Sequence, residues 1–138
     1  MTYRVLISGS RREQSQDSVR LIATALAMVA AGKAPTELIL AHGDASGVDS
    51  EAKYIWKIAW ELKDEAHPYL SYLGRAGGPV RNSEMVEAGA DVCIAFPDKK
   101  SVGTWDLVNK AKDAGIPTFV IKDIYDLEPL QNFLKVNK

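Results

Sequence analysis

The residues of this chain best suited to chemistry lie in short turns that combine glycine with hydroxyl, guanidinium and carboxylate groups. The first turn is Gly9-Ser10-Arg11, and the second is His42-Gly43-Asp44-Ala45-Ser46-Gly47-Val48-Asp49. The third is Pro79-Val80-Arg81-Asn82, and the fourth is Gly103-Thr104-Trp105-Asp106. Glycine lets the main chain approach a phosphate closely. A helix start offers unpaired N–H groups and a positive dipole end. Ser10 can donate a hydroxyl, and Arg11 and Arg81 can clamp an anion. Asp44, Asp49, Asn82 and Asp106 can hold a ribose or a base.

Most of these residues also have a plain structural account. Gly9 can make an ordinary turn. Asp49 can favour the first turn of a helix through the dipole. Asn82, Ser83 or Thr104 can cap a helix, and Glu84 can be a solvated first-turn acid. Asp44 has no such role, because its neighbours already make the turn. For His42 two accounts stand side by side: a core-edge ring satisfied by a backbone carbonyl, or a ligand contact.

Several chemistries lack their residues. Neither the Gly-x-Gly-x-x-Gly fingerprint nor the P-loop pattern is present, nor is a Ser-His-Asp hydrolase elbow. With one cysteine and two well-separated histidines there is no zinc- or iron-type ligand cluster, so neither a metal nor a cofactor is expected. Met28, Met85, Trp56 and Trp60 recur at helical spacing and read as core.

These turns need elements to place them. Apolar runs predict strands at residues 3–8, 38–41, 92–96 and 118–121, with a weaker strand at 65–69. A period near 3.6 predicts a helix capped by Asp17 or Ser18 and buried through Val19, Ile22, Ala23, Leu26, Val29 and Ala30. Gly32 and Pro35 end it. A second helix starts near residues 47–49 and buries Val48, Ala52, Ile55, Trp56, Ala59 and Trp60. A third has Pro79 in its first turn and stops at Gly89. A fourth follows Gly103 and buries Leu107, Val108 and Ala111. A last helix from about Asp126 aligns Leu127, Leu130, Phe133 and Leu134. Alternating strands and helices predict an α/β fold, a parallel five-stranded sheet with helices on both faces. The turns then share the edge outside the carboxyl ends of the strands, where such folds bind ligands.

At 138 residues the chain is sized for one domain, residues 1–138. A net charge of −1 and scattered Lys and Arg argue against a broad grip on nucleic acid. Cys93 lies in an apolar run and reads as a buried strand residue. A lone cysteine fits a reducing compartment, and no signal peptide or bilayer-spanning run is visible, so a cytoplasmic protein without membrane contact is expected.

The order of these motifs resembles a known group. It begins with Gly9-Ser10-Arg11, His42-Gly43-Asp44-x-x-Gly47-x-Asp49 and Gly78-Pro79-x-Arg81-Asn82-x-x-Met85. It continues with Ala90-Asp91-x-Cys93-x-Ala95-Phe96-Pro97, Gly103-Thr104-x-Asp106 and Ala114-Gly115-Ile116-Pro117. It is similar to the YspA/YpsA-related branch of the SLOG superfamily, over about residues 4–121. The resemblance implies a Rossmann-like domain that binds a nucleotide or nucleotide-derived ligand and commonly pairs into homo-oligomers. Members of this branch are small bacterial and phage proteins. The superfamily also includes the lonely guy phosphoribohydrolases and the DNA-processing protein DprA.

Two departures bear on function. Relatives carry a glycine-rich run after the Phe-Pro pair, whereas here it is Asp98-Lys99-Lys100-Ser101-Val102, in which Lys99 or Lys100 can supply charge instead. The lonely guy enzymes have a catalytic glutamate at the position of Leu107, although their catalytic arginine matches Arg81. The expectation is therefore binding of a nucleotide or nucleotide-sugar, for sensing or sequestration. The alternative is an N-glycosidase or phosphoribohydrolase acting on nucleoside monophosphates, with Asp44, Glu84 or Asp106 stabilising an oxocarbenium-like state.

Overall fold

In a computed structural model, residues 1–137 are described. Five parallel strands form one sheet: β1 Tyr3–Gly9, β2 Leu38–His42, β3 Lys63–Ala66, β4 Val92–Phe96 and β5 Thr118–Val120. Their order is β3-β2-β1-β4-β5. The chain thus builds outward from β1 to β3, then crosses over to β4 and β5. Helices α1 (Gln16–Ala30), α2 (Val48–Lys53), α3 (Gly77–Glu87), α4 (Val102–Asp113) and α5 (Leu127–Val136) make the crossovers and the C-terminal cover. The expected α/β fold is the one observed. No described helix is long and apolar enough to cross a membrane.

Period-2 alternation in the strands divides the core in two. Val5, Ile7, Leu38, Leu40, Val92, Ile94 and Phe96 pack with α1, α2 and α5 on one face. Leu6, Ala41 and Cys93 point to the other face, where Met85 of α3 and Leu107 and Ala111 of α4 cover them. Both faces of the central strands are therefore dry, which is why those strands read as continuous apolar runs.

Three local expectations are corrected. Helix α1 is capped by Ser15, whose hydroxyl accepts from the Ser18 N–H at 3.1 Å, not by Asp17 or Ser18. β3 begins earlier than expected and ends at Ala66; its register pairs Ile39 with Lys63 and His42 with Ala66, and Pro68 lies beyond its end. As an edge strand of sequence Lys-Asp-Glu-Ala it has little apolar signal. Finally, Ala59 and Trp60 are exposed rather than buried. After Lys53 the helix widens into a π-helical stretch, Tyr54–Ala59, and the Trp60 N–H reaches the Ile55 carbonyl. The extra residue per turn rotates the tail out of the 3.6-residue phase. Trp56 stays fully buried, its indole N–H donating to the Lys63 carbonyl at 2.7 Å.

Candidate functional site

The strand order reverses between β1 and β4, and a crevice forms there outside the carboxyl ends of the strands. A cavity of about 370 Å³ occupies it. Ser8 and Gly9 end β1 at its floor, and Arg11 and Arg12 follow. Ala45 and Asp49 come from the segment joining β2 to α2, and Arg81 reaches in from α3. Asp98, Lys100 and the residues from Ser101 to Thr104 complete the wall after β4.

Arg81 is 6 % exposed although it carries a charge. Its Nη1 donates to the Gly43 carbonyl at 2.8 Å and to the His67 carbonyl at 3.1 Å, and its Nε donates to Asn82 Oδ1 at 3.0 Å. Those bonds leave Nη2 uncommitted among the described residues. A Cβ on Gly43 would lie 2.2 Å from Arg81 Nη1 and 3.1 Å from Asp49 Oδ2. Gly43 is thus glycine because the guanidinium and the carboxylate converge on it.

Asp49 is 5 % exposed. Its Oδ2 accepts the N–H groups of Gly43 at 3.1 Å and Ala45 at 3.3 Å, whereas Oδ1 is buried without a partner. Burial pushes its carboxyl up to about 6, against the opposing pull of His42, the two N–H groups and Arg81.

Helix α4 begins one residue before Gly103, so Thr104 is a buried first-turn residue and not the cap. The cap position is Ser101, whose hydroxyl is engaged elsewhere. The first main-chain bond into the helix runs from the Trp105 N–H to the Ser101 carbonyl at 3.1 Å. The N–H groups of Gly103 and Thr104 are left without a protein acceptor among the described residues, as expected of a helix start. Nothing lies within 4 Å of a Cβ built on Gly103, so this glycine faces open space.

The remaining wall is built around one carboxylate. Asp98 Oδ2 accepts from the Ser10 hydroxyl at 2.7 Å and pairs with Arg12 Nε at 3.2 Å. Its Oδ1 accepts from the Lys100 N–H and from the Ser101 hydroxyl, both at 2.8 Å. Ser10 above all, then Lys100 and Ser101, hold this carboxyl down to about 2.

The cavity therefore brings together Gly9, Arg11, Asp49, Arg81, Gly103 and Thr104, and not the other expected site residues. Ser10 is turned to Asp98. Gly43 lies behind Arg81. Gly47 packs on the turn after β1, where a Cβ would fall 2.2 Å from the Ser10 carbonyl. Asp44 lies outside the cavity lining; it takes a left-handed conformation, φ 54°, and pairs with Lys53 at 3.2 Å. Asn82 and Asp106 tie α3 to α4; Asn82 Nδ2 donates to the Gly103 carbonyl and to Asp106 Oδ2, and Lys110 completes the knot. His42 is fully buried and satisfied by Asp64 at 2.7 Å and by the Asp44 N–H at 3.0 Å, not by a carbonyl. Ser8, Arg12, Asp98 and Ser101 were not expected as site residues. Asp98 and Ser101 lie in the polar run after β4 that stands where glycines were expected, and Ser8 and Arg12 flank the turn at the end of β1.

A phage protein, the Gene 61 protein of Mycobacterium phage D29, is 38% identical over 129 residues, covering 87% of this chain and 97% of the phage protein. The chain belongs to the family of that protein. No family model matches it. Among solved structures it is similar to DNA processing protein A (DprA) from Streptococcus pneumoniae, with a TM-score of 0.65 and 16% identity over 98% of this chain. The chain spans 56% of the length of that DprA chain. The likeness is one of fold, and at that level it agrees with the Rossmann-like architecture implied by the SLOG resemblance.

Proposed function

We propose that the crevice binds a nucleotide or nucleotide-sugar through its phosphate, for sensing or sequestration, and that residues 1–138 form a single SLOG-type domain of the YspA/YpsA-related branch. The observation that carries this reading is a pair of uncommitted donor sets on one cavity: Arg81 Nη2, and the N–H groups of Gly103 and Thr104. A buried guanidinium and a helix start both favour an anion. The cavity volume lies at the low end of the range of about 300–1,000 Å³ usual for small-molecule sites. Its lining contains no aromatic residue, so the phosphate dominates over the base. The likeness to a protein titled for DNA processing raises nucleic acid as a partner; the slight net negative charge speaks against it. A cytoplasmic setting and pairing into homo-oligomers go with this reading.

The hydrolase alternative gains no support. Asp44 and Asp106 are paired with lysines, Glu84 is exposed, and none of the three lines the cavity.

Thermal-shift measurements test the binding reading, since a ligand stabilises by mass action only if it binds the native state. Nucleoside monophosphates are expected to raise the melting temperature more than their nucleosides. Gly103→Ala is expected to abolish most of that shift while itself adding roughly 0.5–1 kcal/mol of stability from helix propensity. Equal shifts by nucleosides and nucleotides would overturn the reading.

A further inference from the structure

Resting on that reading, we propose that the ligand carries two linked phosphates, the inner held by Arg81 and the start of α4, the outer by Arg11 and Lys100 at the mouth of the same cavity. Four cationic side chains line this cavity, Arg11, Arg12, Arg81 and Lys100, against two carboxylates, Asp49 and Asp98. Arg12 is spent on Asp98 at 3.2 Å. Arg81 and Asp49 converge on Gly43. Arg11 and Lys100 have no such match. The Arg11 carbonyl accepts from the Ser46 hydroxyl, and the Lys100 N–H donates to Asp98. Neither side chain has a hydrogen-bond or ion-pair partner among the described residues.

Burial orders these groups in depth. Arg81 and Thr104 are buried, whereas Arg11 and Lys100 are exposed. A single phosphate on the inner donors leaves the outer cations to solvent. A second phosphate, one anhydride link further out, reaches them. Two observations set these cations apart from ordinary solvated ones. Burial above all lowers the Arg81 guanidinium; Asp49 opposes that, and Arg11 adds to it. Like charges brought to one cavity repel, and an anion between them removes the cost. Lys100, for its part, springs from a fastened turn. Asp98, its own charge balanced by Arg12, accepts the Lys100 N–H at 2.8 Å and the Ser10 hydroxyl at 2.7 Å. It thereby ties the turn after β4 to the turn after β1, which carries Arg11. The polar run after β4 thus supplies a positioned cation where a glycine-rich run offers main chain.

The test is calorimetric titration of the full chain at pH 7.5, in magnesium-free buffer, with adenosine 5′-monophosphate and 5′-diphosphate. The wild type is expected to bind the diphosphate about tenfold or more tightly than the monophosphate. The double variant Arg11→Gln/Lys100→Gln is expected to narrow that ratio to about threefold or less, with monophosphate affinity changed by less than about threefold. Lys112→Gln/Lys135→Gln removes the same charge from exposed helix positions outside the cavity and is expected to keep the wild-type ratio. A wild type that binds the monophosphate equally well or better overturns the inference and leaves the phosphate pocket standing. So does an unchanged ratio in the first double variant, or an equal narrowing in the second, which would assign the preference to net charge alone. If the first double variant does not fold, Arg11→Gln and Lys100→Gln are read singly in the same way. Absence of binding by both nucleotides overturns the inference and the phosphate pocket together.

Discussion

Asp49 carries the only buried side-chain oxygen without a partner among the described residues. Its cost has a definite pH dependence. An unfolded aspartate titrates near 3.8, and burial raises the folded value to about 6. Between those values the native state holds the extra proton, so this group's contribution to stability falls as pH rises through the window and its cost is complete above pH 6. The cost at neutral pH is on the order of 1–3 kcal/mol. Asp49→Asn keeps an acceptor for the Gly43 and Ala45 N–H groups and removes the charge. It is expected to be more stable than the wild type by that amount in urea titrations at pH 7.5, with the gain gone near pH 4. A variant less stable than the wild type at pH 7.5 would show that the native fold depends on the charge. A residue kept at such a cost fits a role in binding. The sequence shows an acid at the start of a helix; that its second oxygen is sealed without a donor is a property of packing alone.

At the scale of elements, the glycines divide into two kinds that the sequence does not distinguish. Gly9, Gly43 and Gly47 are glycine because protein atoms crowd them, whereas of the two glycines that line the cavity, Gly9 and Gly103, Gly103 has open space where a Cβ would stand. Gly47 joins the turn after β2 to the turn after β1: the Val48 N–H donates to the Ser10 carbonyl at 2.9 Å. With φ at +78° and a Cβ position 2.2 Å from that carbonyl, alanine fits neither the conformation nor the space. Gly47→Ala is expected to destabilise by about 3 kcal/mol or more in chemical denaturation. A loss under about 1 kcal/mol would mean that the two turns can separate without harm. The residues of the candidate site were legible as turns after strands. Which of them face the cavity depends on how adjacent turns stack on one another.

Across the whole molecule, the alternation of β1, β2 and β4 commits each side chain to one of two cores. Cys93 belongs to the layer under α3 and α4, fully buried, with its thiol pushed up to about 12 by burial. A thiol so placed reacts only when the layer opens. A disulfide reagent such as Ellman's is therefore expected to modify Cys93 no faster than the chain unfolds, with the rate following denaturant as unfolding does. Fast labelling of the native protein would show that α3 and α4 detach locally.

Apolar runs, helical periods and glycine stops by themselves determined four of the five strands and the helices between them, because those signals are local and repeat within each element; β3, with little apolar signal, was located only roughly. They also placed Cys93 and Trp56 in the core and the turns on one edge, because parallel strands put all their carboxyl ends on the same side. Other features required the folded chain. The strand order, and with it the crevice between β1 and β4, depends on crossovers between distant segments. The π-helical turn that exposes Trp60 is a one-residue phase shift with no compositional mark. Asp98 stood in the sequence only as part of a polar run, and its partners Ser10 and Arg12 come from the far side of the sheet's reversal point. A carboxylate's role is set by the donors that surround it, and those donors are assembled only when strands far apart in sequence lie side by side.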